Sequence, residues 1–286
     1  MTEIQTTEIQ TTEDIQTSPI PGIKVLLQGE SGSGKTHALR SLIQAGIKPL
    51  MVMTDPSLST LADLPCTQWH YMYVPPVAFD FADMIGTAEK INVLSFDSLA
   101  KMTDPNRAKN RQWISLLTAL HKFKCDRCGA EFGDATSWGT GKALYLDSMS
   151  GLNPMALSLV AGDKPVKAMA DWQIAQGEIL KLIQKITAGC RCHVVLTAHI
   201  ERETDEITGG VQLMAATLGR KLAPQIPRFF DEVIHTVRNG DKFLWSTATS
   251  NMAVKTRLLQ RRCDLTPSFV PLIDEWKKRG GFVEIK

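Results

Sequence analysis

The octapeptide GESGSGKT, residues 29–36, sets out Gly29-x-x-x-x-Gly34-Lys35-Thr36. Glycines at 29, 32 and 34 let backbone N–H groups turn inward, and such a ring of donors cradles phosphate oxygens. Lys35 adds a mobile positive charge suited to β- and γ-phosphates, and Thr36 a hydroxyl suited to Mg2+. Glu30, Ser31 and Ser33 complete the loop and count with it as nucleotide-binding residues. Composition alone would place this pattern in a chain of this length about once in a hundred. A nucleotide's metal also needs an acid on a neighbouring strand. Asp147 ends the apolar run 143–146 and is the candidate. An aspartate there can instead cap the following helix, but beside a phosphate loop the expectation is Mg2+ held by Thr36 and Asp147.

A second chemistry is written in the cysteines. FKCDRCGAEF sets Cys125 and Cys128 in a Cys-x-x-Cys-Gly turn between Phe123 and Phe132. That is half of a zinc-ribbon site, and a structural Zn2+ takes four ligands. CRCH supplies Cys190 and Cys192 as the candidate other half, so residues 121–139 read as a zinc-knuckle-like insert. Reduced cysteines in a loop and a core, or a redox pair, are the alternatives. Six cysteines in 286 residues do not make a disulfide framework.

These groups need elements to position them. Residues 23–28 form a short apolar run before the glycine loop, which suits a buried parallel strand. Residues 35–46 then have helical spacing and a glycine stop at Gly46. KPLMVMTD, WHYMYV, ALYLDS and CHVVLTAH read as further strands, and 80–123, 150–160 and 171–188 as helical. FFDEVIHTVRNGDKFLWSTA is a hairpin around Asn239-Gly240. PSFVPLIDEWKKRGG closes with a short helix. Strands alternating with helices, then a hairpin, predict an α/β fold: a mostly parallel sheet flanked by helices, with a C-terminal antiparallel edge.

Composition bounds the rest. The apolar fraction of 43% is ordinary for a globular chain. No apolar run approaches the ~18 residues that cross a bilayer, so no membrane partner is expected. No basic segment followed by an apolar one marks a secretory signal, and the expected location is cytoplasmic. Residues 1–22 carry four acids and no base, and the segment 1–21 reads as a disordered tail ahead of one domain over 22–286. Residues 101–127 hold seven bases against two acids, either a nucleic-acid footprint or a solvated helix face.

LYLDSMSGLNP resembles the Walker B segment of RecA-type recombinases, and VVLTAHIERETDEITGG the strand and mobile DNA-contacting loop that follow there. The resemblance puts His199 at the position that senses the γ-phosphate. VKTRL is similar to the strand whose basic fingers complete a neighbouring subunit's site, which implicates Lys255 and Arg257; two apart on a strand, they face one side. FGDATSWGTGKALYLDSMSGLNP and TLGRKLAPQIPRFFDEV look like a phage group of RecA-core P-loop ATPases that act in single-strand annealing and recombination. The resemblance covers about residues 22–280. It implies a RecA-like core, ATP with Mg2+, a homo-oligomer with ATP between subunits, single-stranded DNA as partner and, for a phage protein, the host cytoplasm.

One departure bears on catalysis. The glutamate that orients attacking water in RecA-type enzymes is replaced by Ser57, with Asp55 nearby as the carboxylate left to act. Hydrolysis is therefore expected to be slow, or ATP to serve as a switch. Candidate DNA contacts are Lys164 and Lys167 in one loop, and Arg220 and Lys221 at the end of the loop over 200–220. Neither loop offers aromatics for base stacking; Trp138 and Trp172 read as readily as core edges. A replication or packaging motor would carry further helicase motifs, which the sequence lacks. A nucleotide-sensing module without DNA would show ATPase activity indifferent to DNA.

Overall fold

The computed structural model describes residues 20–77, 80–102, 109–204 and 209–284. In chain order the elements are β1 (Lys24–Gly29), α1 (Leu39–Gln44), β2 (Lys48–Met53), β3 (His70–Tyr73), α2 (Phe81–Val93), α3 (Phe96–Ala100) and α4 (Gln112–His121). The short β4 (Phe123–Lys124) and β5 (Glu131–Gly133) follow, then β6 (Lys142–Asp147), α5 (Met149–Ala161), α6 (Met169–Gly189) and β7 (His193–Ala198). The chain ends with β8 (Ile200–Thr204), β9 (Val211–Ala215), β10 (Glu232–Asn239), β11 (Lys242–Ser246) and α7 (Val270–Lys278).

The main sheet has seven strands in the order β11-β10-β1-β7-β6-β2-β3. All pairs are parallel except β10 with β11, so the expected α/β sheet with an antiparallel edge is the architecture observed. Parallel strands buried on both faces need continuous apolar runs, which is why β1, β6 and β7 read as they do. Successive side chains alternate faces. Leu26, Leu50, Val52, Leu144, Leu146 and Leu196 pack with α4, α5 and α6 on one side. Val25, Leu27, Met51, Tyr145 and Val195 pack with α1 and α7 on the other. Buried Lys24 is compensated by donating to the carbonyls of Cys190 (2.8 Å) and Cys192 (2.6 Å).

Three details differ from expectation. The helix after the phosphate loop begins as a 3-10 turn, Thr36–Ala38, and becomes α1 only at Leu39. The segment 200–220, expected as a mobile loop, contains the antiparallel hairpin β8–β9. It is anchored because Ala216 N donates to His199 O (2.7 Å) and Leu213 N to Asn251 O (2.7 Å). The insert at 121–139 holds the small hairpin β4–β5. The expected disordered tail, apart from its last residues, lies outside the described residues; Pro21 O accepts from Trp276 Nε1 at 3.0 Å. Among the described residues no helix is long and apolar enough to cross a membrane.

Candidate functional site

The carboxyl ends of β1, β2, β6 and β7 open onto one crevice, the usual ligand position in an open α/β sheet. The cavity there is about 680 Å³, and Lys35, Thr36, Asp55, Ser57, Asp147 and His199 line it. The loop 29–36 wraps one side. Gly34 takes φ 87°, a left-handed conformation that a side chain would strain. Gly29 is required for another reason: a Cβ there would lie 2.1 Å from Thr236 Oγ1 and 2.3 Å from Thr236 O, on the adjacent strand β10. Buried Tyr145 donates its hydroxyl to the carbonyl of Lys35 at 2.5 Å and fixes the base of the loop.

Asp147 is almost fully buried at the end of β6. Thr36 Oγ1 donates to its Oδ2 at 2.7 Å, and Ser57 Oγ reaches the same oxygen at 3.2 Å. Thr197 Oγ1 donates to Oδ1. Lys35 Nζ donates to the carbonyls of Gly29 and Glu30, both at 2.8 Å, and lies 3.5 Å from His199 Nδ1. Burial lowers the Lys35 ammonium to about 8, against the opposing pull of Asp147 and Asp55. Burial, then the Lys35 charge, push His199 below the usual histidine range, so its ring is neutral at neutral pH. Asp55 Oδ2 accepts from Ser148 Oγ. A hydroxyl beside a carboxylate, across from a lysine and a glycine loop, is the donor set that Mg2+ and a triphosphate need.

The sequence-derived residues are thus partly assembled. Lys35, Thr36, Asp55, Asp147 and His199 share the crevice, with Ser57 where the missing glutamate is expected. Lys255 and Arg257 lie elsewhere. Lys255 pairs with Val233, opposite the Leu26 end of β1 rather than the Gly29 end. The segment is not the expected strand but forms an isolated bridge; Lys255 Nζ donates to Phe230 O (2.6 Å) and Arg257 bridges Asp231 (2.9 Å). Neither touches this chain's own loop.

Three of the four basic residues assigned to DNA are engaged within the chain. Lys164 pairs with Asp171 (2.8 Å), Lys167 Nζ donates to Lys164 O (2.9 Å), and Arg220 pairs with Glu203 (3.0 Å). In the basic stretch 101–127, Lys109 pairs with Asp83 (3.1 Å) and Lys124 with Glu131 (3.0 Å). Trp138 is buried and Trp172 packs against the same core.

The expected cysteine grouping needs correction. Cys125 and Cys128 converge with Cys66 and His70, and Cys190 and Cys192 are not in the cluster. The reason is topological. The Cys125–Cys128 turn docks on the edge strand β3, where Asp126 N donates to Tyr71 O at 2.9 Å. Cys190 and Cys192 sit at the start of β7, in mid-sheet, with Cys192 Sγ near Ala135 O (3.9 Å). Sequence reasoning passed over Cys66 and His70, although Cys-x-x-x-His is legible ligand spacing. It also passed over Thr197, a lone hydroxyl in the apolar run VVLTA, and Tyr145.

A parallel sheet with a glycine phosphate loop ending one strand, and a hydroxyl-bound aspartate ending another two places away, is the arrangement of a P-loop nucleotide-binding fold. The comparison with known families makes this specific: the chain belongs to the AAA domain family, whose sequence pattern matches residues 21–258. A search of curated proteins gives no match. Among solved structures the chain is similar to the RadB recombinase crystal structure, with 12% identity, a TM-score of 0.34, and coverage of 85% of this chain and 86% of that one. A likeness so distant says nothing about activity.

Proposed function

We propose that the protein binds ATP with Mg2+ in the crevice, hydrolyses it slowly, and acts as an oligomer on single-stranded DNA in annealing or homologous recombination. The observation that carries the nucleotide part is the 2.7 Å contact between Thr36 and Asp147, which joins β1's loop to β6 beside Lys35. In this reading the loop amides and Lys35 hold the phosphates, and Thr36 and Asp147 hold Mg2+. Mg2+ neutralises charge on the β- and γ-phosphate oxygens. His199, next to Lys35, reports whether the γ-phosphate is present and passes this to β8, which starts at the next residue.

Slow hydrolysis follows from Ser57, which has no carboxylate to orient water; Asp55 is the substitute, and Ser148 already occupies one of its oxygens. Lys255 and Arg257 serve a neighbouring subunit's nucleotide, which agrees with their distance from their own loop. Exposed Phe81, Val93 and Phe96 on α2 and α3 give subunits an apolar surface to share. The DNA part rests on the resemblance of residues 143–154 and 194–210 to RecA-type recombinases.

The pairing of Lys164 with Asp171 and Arg220 with Glu203 favours a second reading, a nucleotide-sensing module without DNA activity. One experiment separates them: ATP turnover and particle mass, each with and without single-stranded DNA. Stimulated turnover and a larger particle support the DNA reading; identical values in both states support the sensing module. Lys35→Ala should abolish ATP binding, and unchanged affinity in that variant would overturn the site itself.

A further inference from the structure

Far from the crevice, at the outer edge of the sheet, Cys66, His70, Cys125 and Cys128 each offer one ligand atom within 4.8 Å of the others. Cys66 Sγ lies 3.9 Å from Cys125 Sγ and 3.6 Å from His70 Nδ1, and Cys128 Sγ lies 3.4 Å from His70 Nδ1. Around a tetrahedral Zn2+, bonds of about 2.3 Å to sulfur and 2.0–2.1 Å to nitrogen put neighbouring sulfurs about 3.8 Å apart and sulfur and nitrogen about 3.6 Å apart. The three separations match those edges. The 3.9 Å between Cys66 Sγ and Cys125 Sγ is far too long for a disulfide, whose sulfurs sit about 2.05 Å apart.

The convergence does not depend on four side chains drifting together. The Cys125–Cys128 turn is closed by Cys125 N donating to Ala130 O and Gly129 N to Cys125 O, both at 2.8 Å, with Gly129 at φ 73°. It is then docked on β3: Asp126 N donates to Tyr71 O (2.9 Å), and Tyr73 N donates to Asp126 Oδ2 (2.6 Å). On the other half, Arg127 donates to Leu64 O (2.9 Å) and lies over the Trp69 ring, which holds the segment leading to His70. The His70 ring packs on Phe132, with centroids 4.5 Å apart, and this aims Nδ1 at the sulfurs. Contacts outside the ligand set therefore fix both halves of the cage.

We propose that these three cysteines and one histidine bind a structural Zn2+. Four protein ligands leave no open position, which separates such a site from a catalytic one. His70 is the first residue of β3, and the crevice opens at the other ends of the parallel strands, so the ion sits apart from the nucleotide chemistry. Its work is mechanical. It pins the β4–β5 hairpin across β3, the exposed edge strand of the sheet, and covers an edge that would otherwise invite pairing with another chain. The inference is independent of the proposed role in DNA metabolism.

The test is metal analysis of the purified full chain, with Co2+ reconstitution of the same protein. About one zinc per chain is expected, together with the intense ligand-field bands of a tetrahedral Co2+ thiolate site. Cys66→Ser and Cys128→Ser should each lose most of the metal, while Cys263→Ser, at an exposed residue outside the cluster, should retain it. Hydrogen exchange across 70–73 and 123–133 should rise when zinc is chelated from the wild type, with ATP affinity unchanged. The Co2+ spectrum reads the ligand set without any variant, so a variant that misfolds does not shelter the proposal. Wild-type protein with no zinc and no tetrahedral Co2+ spectrum would overturn it. So would iron in place of zinc, undiminished zinc in the Cys66 and Cys128 variants, or a mapped Cys125–Cys128 disulfide.

Discussion

The Lys35 ammonium gives the nucleotide site a pH signature. Burial brings its pKa down to about 8, so the free protein loses this charge within an accessible range. Phosphates bind the protonated form, and in the free protein that form makes up about ten-elevenths of the molecules near pH 7 and about one-eleventh near pH 9. ATP affinity should therefore fall about tenfold between those values, or about 1.4 kcal/mol of binding free energy. Binding above about pH 8 should also take up a proton, because the bound triphosphate raises the lysine's pKa again. His199, 3.5 Å away, is neutral throughout this range and does not add to the slope. The assay is titration with a fluorescent ATP analogue and Mg2+ in matched ionic strength, supported by calorimetry in two buffers of different ionisation enthalpy. Lys35→Arg keeps a charge that does not titrate, so its affinity should stay level over the same interval. A flat profile in the wild type, or the same fall in Lys35→Arg, would refute the assignment of Lys35 to the phosphates.

The remaining expectations concern catalysis and acid stability. Ser57→Glu restores a carboxylate at the crevice, and phosphate release should rise roughly tenfold or more if water positioning limits turnover; an unchanged or lower rate would place the limit elsewhere. His193 is buried at the start of β7, where its Nδ1 accepts from Ile23 N at 3.1 Å, and burial pushes it down to about 3. A depressed folded-state pKa means its contribution is whole above the ordinary value of about 6.5 and is lost as pH falls from there towards 3, because only the unfolded chain takes the proton. Urea unfolding should show about 2 kcal/mol less stability near pH 5 than near pH 7 from this residue alone. His193→Asn, which keeps an acceptor for Ile23 N, should lack that share of the loss; equal acid sensitivity in the two proteins would exclude His193 as its source.

The main sheet could be read from the chain because the inner parallel strands β1, β2, β6 and β7 are buried on both faces and leave apolar runs, as LYLD and VVLTA do. The Thr36–Asp147 pair was legible for a related reason: Asp147 ends such a run, Thr36 closes the glycine loop that follows another, and parallel strands deliver their carboxyl ends to one side. The failures were of long-range pairing. CRCH was legible as the entry to a sheet strand, but nothing in the sequence says that the Cys125–Cys128 turn returns to the edge of the sheet instead. That depends on β3 lying beside β2, which brings Cys66 and His70, about sixty residues earlier, to the turn. The β8–β9 hairpin was missed because IERET is mostly charged and VQLMA shows no strict alternation. Its order comes from contacts with Asn251 and His199.

The aspartate at the end of β6 shows why a motif identifies a residue more readily than it explains it. The sequence pattern pairs Asp147 with Thr36 alone, yet three hydroxyls from three segments hold the carboxylate: Thr36 after β1, Ser57 after β2 and Thr197 in β7. Under the proposed reading, the Thr36 hydroxyl and the Asp147 carboxylate, joined by the 2.7 Å hydrogen bond, are the groups that would hold Mg2+. Ser57 and Thr197 then keep the carboxylate from rotating, as outer partners of a metal ligand do. Ser57 thus has a use that a glutamate could not share. A carboxylate at position 57 cannot donate to Asp147 and adds a second negative charge nearby, whereas the serine hydroxyl reaches it at 3.2 Å and holds it in place. Under the proposed reading, that one exchange keeps the carboxylate in place for the ion and leaves position 57 without a group to orient water, the combination that an ATP-dependent switch would use.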